Sequence, residues 1–65
     1  MSVDSRKVEN EHIEELIKGM MEEMAGIRAE LYPTKRARNW DNMRANAILL
    51  QEHSTVLNTI LKAKT

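Results

Sequence analysis

The chain has 65 residues, ten acidic and ten basic side chains, no cysteine, one proline and two glycines. So short a chain holds one domain, whose core seldom supplies more than about 3–5 kcal/mol unaided, and the missing cysteines exclude disulfide staples and thiolate metal sites. No apolar run approaches the ~20 residues that cross a bilayer, the N-terminal stretch is too polar for a signal-peptide core, and a hydrophobic content of 42% argues against disorder throughout. A soluble intracellular protein is expected, cytoplasmic, or nuclear in a eukaryotic or viral setting.

The zero net charge averages two unlike halves. Residues 1–30 hold four basic and eight acidic side chains, a net of −4, and residues 31–65 hold six basic and two acidic, a net of +4. Such asymmetry bears on how halves or neighbouring subunits meet. Residues 1–8 are expected to fray. From about 9 to 31 the apolar residues Ile13, Ile17, Met20, Met24, Ile27 and Leu31 recur at alternating steps of four and three, a heptad seam that predicts an amphipathic helix. Glutamates crowd its first half, where the partial positive charge of a helix N-terminus favours them.

The turn is placed at 32–38, because Pro33 biases Tyr32 away from helical dihedrals and donates no backbone hydrogen bond. Asn39 or Asp41 can then cap a second helix over about 39–61. Its seam reads Trp40, Met43, Ala47, Leu50, Ser54, Leu57 and Leu61, with a second apolar line, Leu49, Val56 and Ile60, beside it. Glu9–Glu30 carries nine charged residues in 22, whereas Asn39–Leu61 carries three in 23. The second helix therefore has more apolar surface than one hairpin partner can cover. Burying Leu49, Val56 and Ile60 elsewhere is worth on the order of 1.5–3 kcal/mol each, comparable to the whole stability of so small a monomer. The expected architecture is an all-α antiparallel two-helix hairpin, coiled-coil-like, forming one domain over 1–65 and assembling into a dimer or larger helical bundle.

Catalytic chemistry is poorly provided for. The imidazoles are His12 and His53, no glycine-rich phosphate loop exists, and Ser54 beside His53 sits about 100° around a helix from it, so no nucleophile–base pair forms locally. Glu9 and His12 have the Glu-x-x-His spacing of di-metal bundles in a single copy, which a polar helix start explains more simply. His53 reads as a boundary residue with one ring nitrogen on a polar partner, or as a pH-sensitive subunit contact. Ser54 and Ala47, one heptad apart, permit close helix approach, and the Ser54 hydroxyl can bond back to the Leu50 carbonyl. Gly19 and Gly26, seven apart, each cost a helix about 1 kcal/mol against alanine and suggest close approach or surface drift.

The expected activity is that of a non-enzymatic interaction module, an adaptor, assembly factor, co-chaperone or inhibitor, with no cofactor, metal, membrane or small-molecule substrate. The expected partner is a second copy of the chain or another helical protein. The partner face is assigned to Leu49, Val56, Leu57 and Ile60, with Met20, Met21 and Met24 as an adaptable cluster and Trp40 as the edge anchor. The basic turn, Lys35, Arg36 and Arg38 with Arg44 beyond it, pairs with acidic surface. The alternative is a dimeric regulator gripping a nucleic-acid backbone through the same cations, with Trp40 for stacking.

Overall fold

The structure, a computed structural model, describes the backbone of residues 3–65 and the side chains of residues 5–65. Two helices, α1 (Val3–Ala29) and α2 (Trp40–Lys64), pack against each other, and no strand occurs among the described residues. The partners across the pair run in opposite order: Glu9 meets Lys64 at 2.6 Å, Glu23 meets His53 at 2.8 Å and Glu30 meets the Asn39 amide at 2.9 Å. The helices are therefore antiparallel. The body measures 55 × 18 × 13 Å, and its radius of gyration of 15.7 Å exceeds the roughly 11 Å of a compact chain of this length.

Both helices outrun their expected outer ends. Within the expected frayed segment 1–8, residues 1 and 2 lie outside the described residues, and the backbone is helical from Val3. No glycine or proline interrupts the sequence before Gly19, and the Glu9–Lys64 ion pair ties this end to the last turn of α2. α2 likewise continues to Lys64, three residues past the expected end. At the turn the order reverses: α1 stops at Ala29, and the amides of Glu30 and Leu31 close tighter bonds onto the carbonyls of Ile27 (3.1 Å) and Arg28 (3.0 Å). Asn39 caps α2, its side chain accepting from the Asn42 amide at 3.0 Å.

The seam is rotated from the expected one. On α1 the less exposed line is Glu9, Ile13, Leu16, Met20, Glu23, Ile27 and Glu30; on α2 it is Met43, Asn46, Leu50, His53, Leu57 and Ile60. Ile17, Met24 and Leu31, assigned to the first seam, are exposed, as are Trp40, Ala47, Ser54 and Leu61 of the second. Both helices have kept the heptad but turned by roughly 50° about their axes. In this rotation three polar groups meet partners across the hairpin or in the turn. Glu23, 6% exposed, reaches His53; Glu30, 8% exposed, reaches Arg36 and the Asn39 amide; Asn46 lies over Gly26. The cost is a nearly absent apolar core: among the described residues Leu16 alone is a buried hydrophobic side chain, and α2 buries none.

Candidate interaction surface and basic turn

Each glycine of α1 makes room for a polar side chain of α2. A Cβ on Gly19 would stand 3.1 Å from Cε1 of His53, and one on Gly26 would stand 2.7 Å from Nδ2 of Asn46. Their helix-weakening cost thus has a packing reason, which the seven-residue spacing hinted at without naming the partners. His53 reaches past Gly19 so that its Nδ1 lies 2.8 Å from Oε1 of Glu23, a charge pair when the ring is protonated. Ser54 is exposed and makes no bond to the Leu50 carbonyl; the back-bonding hydroxyls of α2 are those of Thr55, onto Gln51, and Thr59, onto Thr55, each at 2.9 Å.

The basic turn is spent largely within the chain. Arg36 donates a fork of two hydrogen bonds to Glu30, Nη1 to Oε1 at 2.9 Å and Nη2 to Oε2 at 3.1 Å, and the Asn39 amide donates to the same Oε1. One carboxylate thereby holds the end of α1, the turn and the cap of α2. The hydrogen bonds from Arg36 first, then that from the Asn39 amide, hold the Glu30 carboxyl below its ordinary range against an opposing desolvation, and the Arg36 guanidinium is raised in return. Arg38 donates to the Leu31 carbonyl at 3.4 Å and lies 5.6 Å above the Trp40 ring. Lys35 and Arg44 are exposed. Glu30 carried no signal as a turn anchor, because its partners are six and nine residues downstream, across the proline.

The residues assigned to the partner face fall into separate places. Met20, Leu57 and Ile60 are partly buried in the seam between the helices, whereas Met21, Met24, Trp40, Leu49 and Val56 are exposed, Met21 at 60% and Trp40 at 64%. Leu49 and Val56 each precede a seam residue by one position, as do Gly19 and Gly26, so antiparallel packing sets all four on one flank of the hairpin. Ile17 and Met24 each follow a seam residue by one, as do Ala47, Ser54 and Leu61, which sets these five on the opposite flank. That second flank is apolar on both helices and was missed because its members had been assigned to the hairpin's own seam.

Beside it on α1 runs an open groove of about 480 Å³, lined by Glu14, Ile17, Lys18, Met21, Glu22 and Ala25, and continued by a depression bounded by Met24 and Arg28. No group of His, Cys, Asp or Glu that could hold a metal ion occurs among the described residues; Glu9 is paired with Lys64 and His12 is exposed. No helix among those described is long and apolar enough to cross a membrane. Comparison of the chain with protein-family models, with curated proteins and with solved structures gives no match.

Proposed function

We propose that this chain is a small non-enzymatic interaction module that works through self-association or helix–helix docking, in the manner of an adaptor, assembly factor, co-chaperone or inhibitor. One observation carries this: eleven large hydrophobic side chains are exposed among the described residues while only Leu16 is a buried one. A hairpin with one buried apolar side chain lacks the core that offsets conformational entropy, and burying an exposed Leu, Ile, Val or Met recovers on the order of 1.5–3 kcal/mol. The flexible thioethers of Met21 and Met24 suit a surface that must fit a partner. The basic turn supports nucleic-acid binding less well, because Arg36 is neutralised by Glu30 and Arg38 is held by the Leu31 carbonyl and the Trp40 ring.

Association links stability to concentration, since whatever binds the folded state and not the unfolded one raises the midpoint. The purified chain is expected to show a thermal midpoint, followed by circular dichroism, that climbs by several degrees as concentration rises roughly a hundredfold, or else to melt broadly until a partner is added. A sharp transition at a midpoint independent of concentration, in a chain that sediments as a monomer, would overturn the proposal.

A further inference from the structure

The exposed face of α1 is self-complementary when reversed end for end. Its apolar residues are Ile17, Met21, Met24 and Ala25, with Lys18 and Glu22 also lining it, and an acid and a base stand at equal distances on either side: Glu14 seven residues before Met21 and Arg28 seven residues after it, each about 10 Å away along the axis. A two-fold axis crossing α1 at Met21 lays Met21 on its own symmetry mate, Glu14 against Arg28, twice, and, to within one residue, Ile17 against Met24. Parallel alignment would set Glu14 on Glu14 and Arg28 on Arg28.

The second helix obeys the same axis. Gly19 faces His53 and Gly26 faces Asn46, so Met21 stands level with residue 51 of α2. On the flank that α2 shares with Ile17 and Met24, the sequence is symmetric to within half a residue of that level: Ala47 is reflected onto Ser54 and Trp40 onto Leu61. Two small residues thus meet at the centre, where helices approach closely, and two exposed large ones meet at the ends, Trp40 at 64% and Leu61 at 47% exposure. The surface area points the same way. The chain exposes 5548 Å², whereas a compact monomer of 7.5 kDa exposes about 4,200 Å². Two bodies 55 × 18 Å across, laid face to face, can cover roughly 1,000 Å² each and about 2,000 Å² in total, the lower end of the range of obligate homodimers.

We therefore propose that the occupant of this flank is a second copy of the chain, packed face to face and antiparallel on a two-fold axis through Met21 and Gln51, with Glu14 paired to Arg28 of the second copy. This rests on the reading of the chain as an association module, and it leaves the Leu49–Val56 flank outside the interface.

The native chain lacks cysteine, so single cysteines report the geometry cleanly. Met21→Cys and Gln51→Cys should each be joined into a covalent dimer by a short bis-maleimide, and Leu49→Cys should not. Glu14 and Arg28 are both exposed, so reversing either leaves the hairpin intact. Glu14→Arg alone and Arg28→Glu alone should each weaken dimerisation in sedimentation by roughly tenfold at low salt, and the double reversal should return it to within about threefold of the native value. A dimer that crosslinks at position 49 but not at 21 or 51, or a double reversal no tighter than the single ones, overturns this interface while leaving association in place. A folded monomer with a concentration-independent melt overturns both.

Discussion

At the scale of single residues, Glu30 accepts three hydrogen bonds, two from Arg36 and one from the Asn39 amide, and its role makes a pH prediction with a definite sign. Hydrogen bonds from Arg36 and the Asn39 amide lower its pKa below the ordinary value near 4.5. A carboxyl whose pKa is lower folded than unfolded contributes stability that is fully present above the unfolded pKa and is lost as pH falls through the folded one. Acidification below about pH 4.5 should therefore weaken the turn first, seen as loss of the Asn39 amide's protection from hydrogen exchange. In Glu30→Gln the forked ion pair is gone, and that acid dependence should flatten. Equal acid sensitivity in the two proteins would show that Glu30 does not govern the turn.

The Gly26–Asn46 contact makes a second prediction at this scale. Alanine at 26 gains about 1 kcal/mol of helix propensity, but its Cβ would fall 2.7 Å from the Asn46 amide nitrogen, so that side chain must move. Gly26→Ala should thus be near neutral or destabilising in the native background and stabilising by about 1 kcal/mol when Asn46→Ala is already present. Urea denaturation at one fixed concentration measures both arms. Equal gains in the two backgrounds would mean that room for Asn46 is not why position 26 is glycine.

At the scale of elements, each helix has ends set by local chemistry and a rotation set by distant chemistry. The Asn39 cap is local: its carboxamide takes the Asn42 amide, and Asn39→Ala should cost about 1 kcal/mol, read as a lower denaturant midpoint with unchanged slope. Aspartate at 39 should keep most of it, because a carboxylate accepts the same bond and suits a helix N-terminus. The break at Pro33, the two helices and the heptad were legible for the same reason: each is written in residues within one or two turns of one another. The rotation was not. Apolar residues fill a broad arc on both helices, and heptad counting chose the most apolar line within it. The helices instead bring inward the line carrying Glu23, Glu30, Asn46 and His53, because it is the rotation that lets them meet one another, the turn and the two glycines.

At the scale of the molecule, that rotation moves the apolar side chains outward, and the proposed interface follows from it. Ile17, Met24, Leu31, Ala47 and Leu61 would be part of the hairpin's own core under the expected seam; under the observed one they are exposed. The seam inside the chain mixes apolar side chains with the polar groups Glu23, Asn46 and His53, which meet partners across it, while the proposed dimer would bury the apolar side chains left outside. Ionic strength should therefore act weakly on the dimer as a whole, because most of the proposed contact is apolar, and should act more on the Glu14 and Arg28 variants, whose like charges then face each other. The Leu49–Val56 line remains exposed in that arrangement, so Leu49→Asp should leave sedimentation of the dimer unchanged.

The sequence by itself determined that this chain is two amphipathic helices broken at Pro33, with an acidic first half, a basic turn and more apolar surface than one hairpin can bury, since all of these are properties of composition and local spacing. Only the tertiary structure decided which line of each helix faces inward. That choice depends on pairs such as Glu23 with His53, thirty residues apart, and on glycines whose worth lies in what the other helix places over them. Periodicity fixes the repeat of a seam but not its angle; the angle is set where side chains from distant parts of the chain meet.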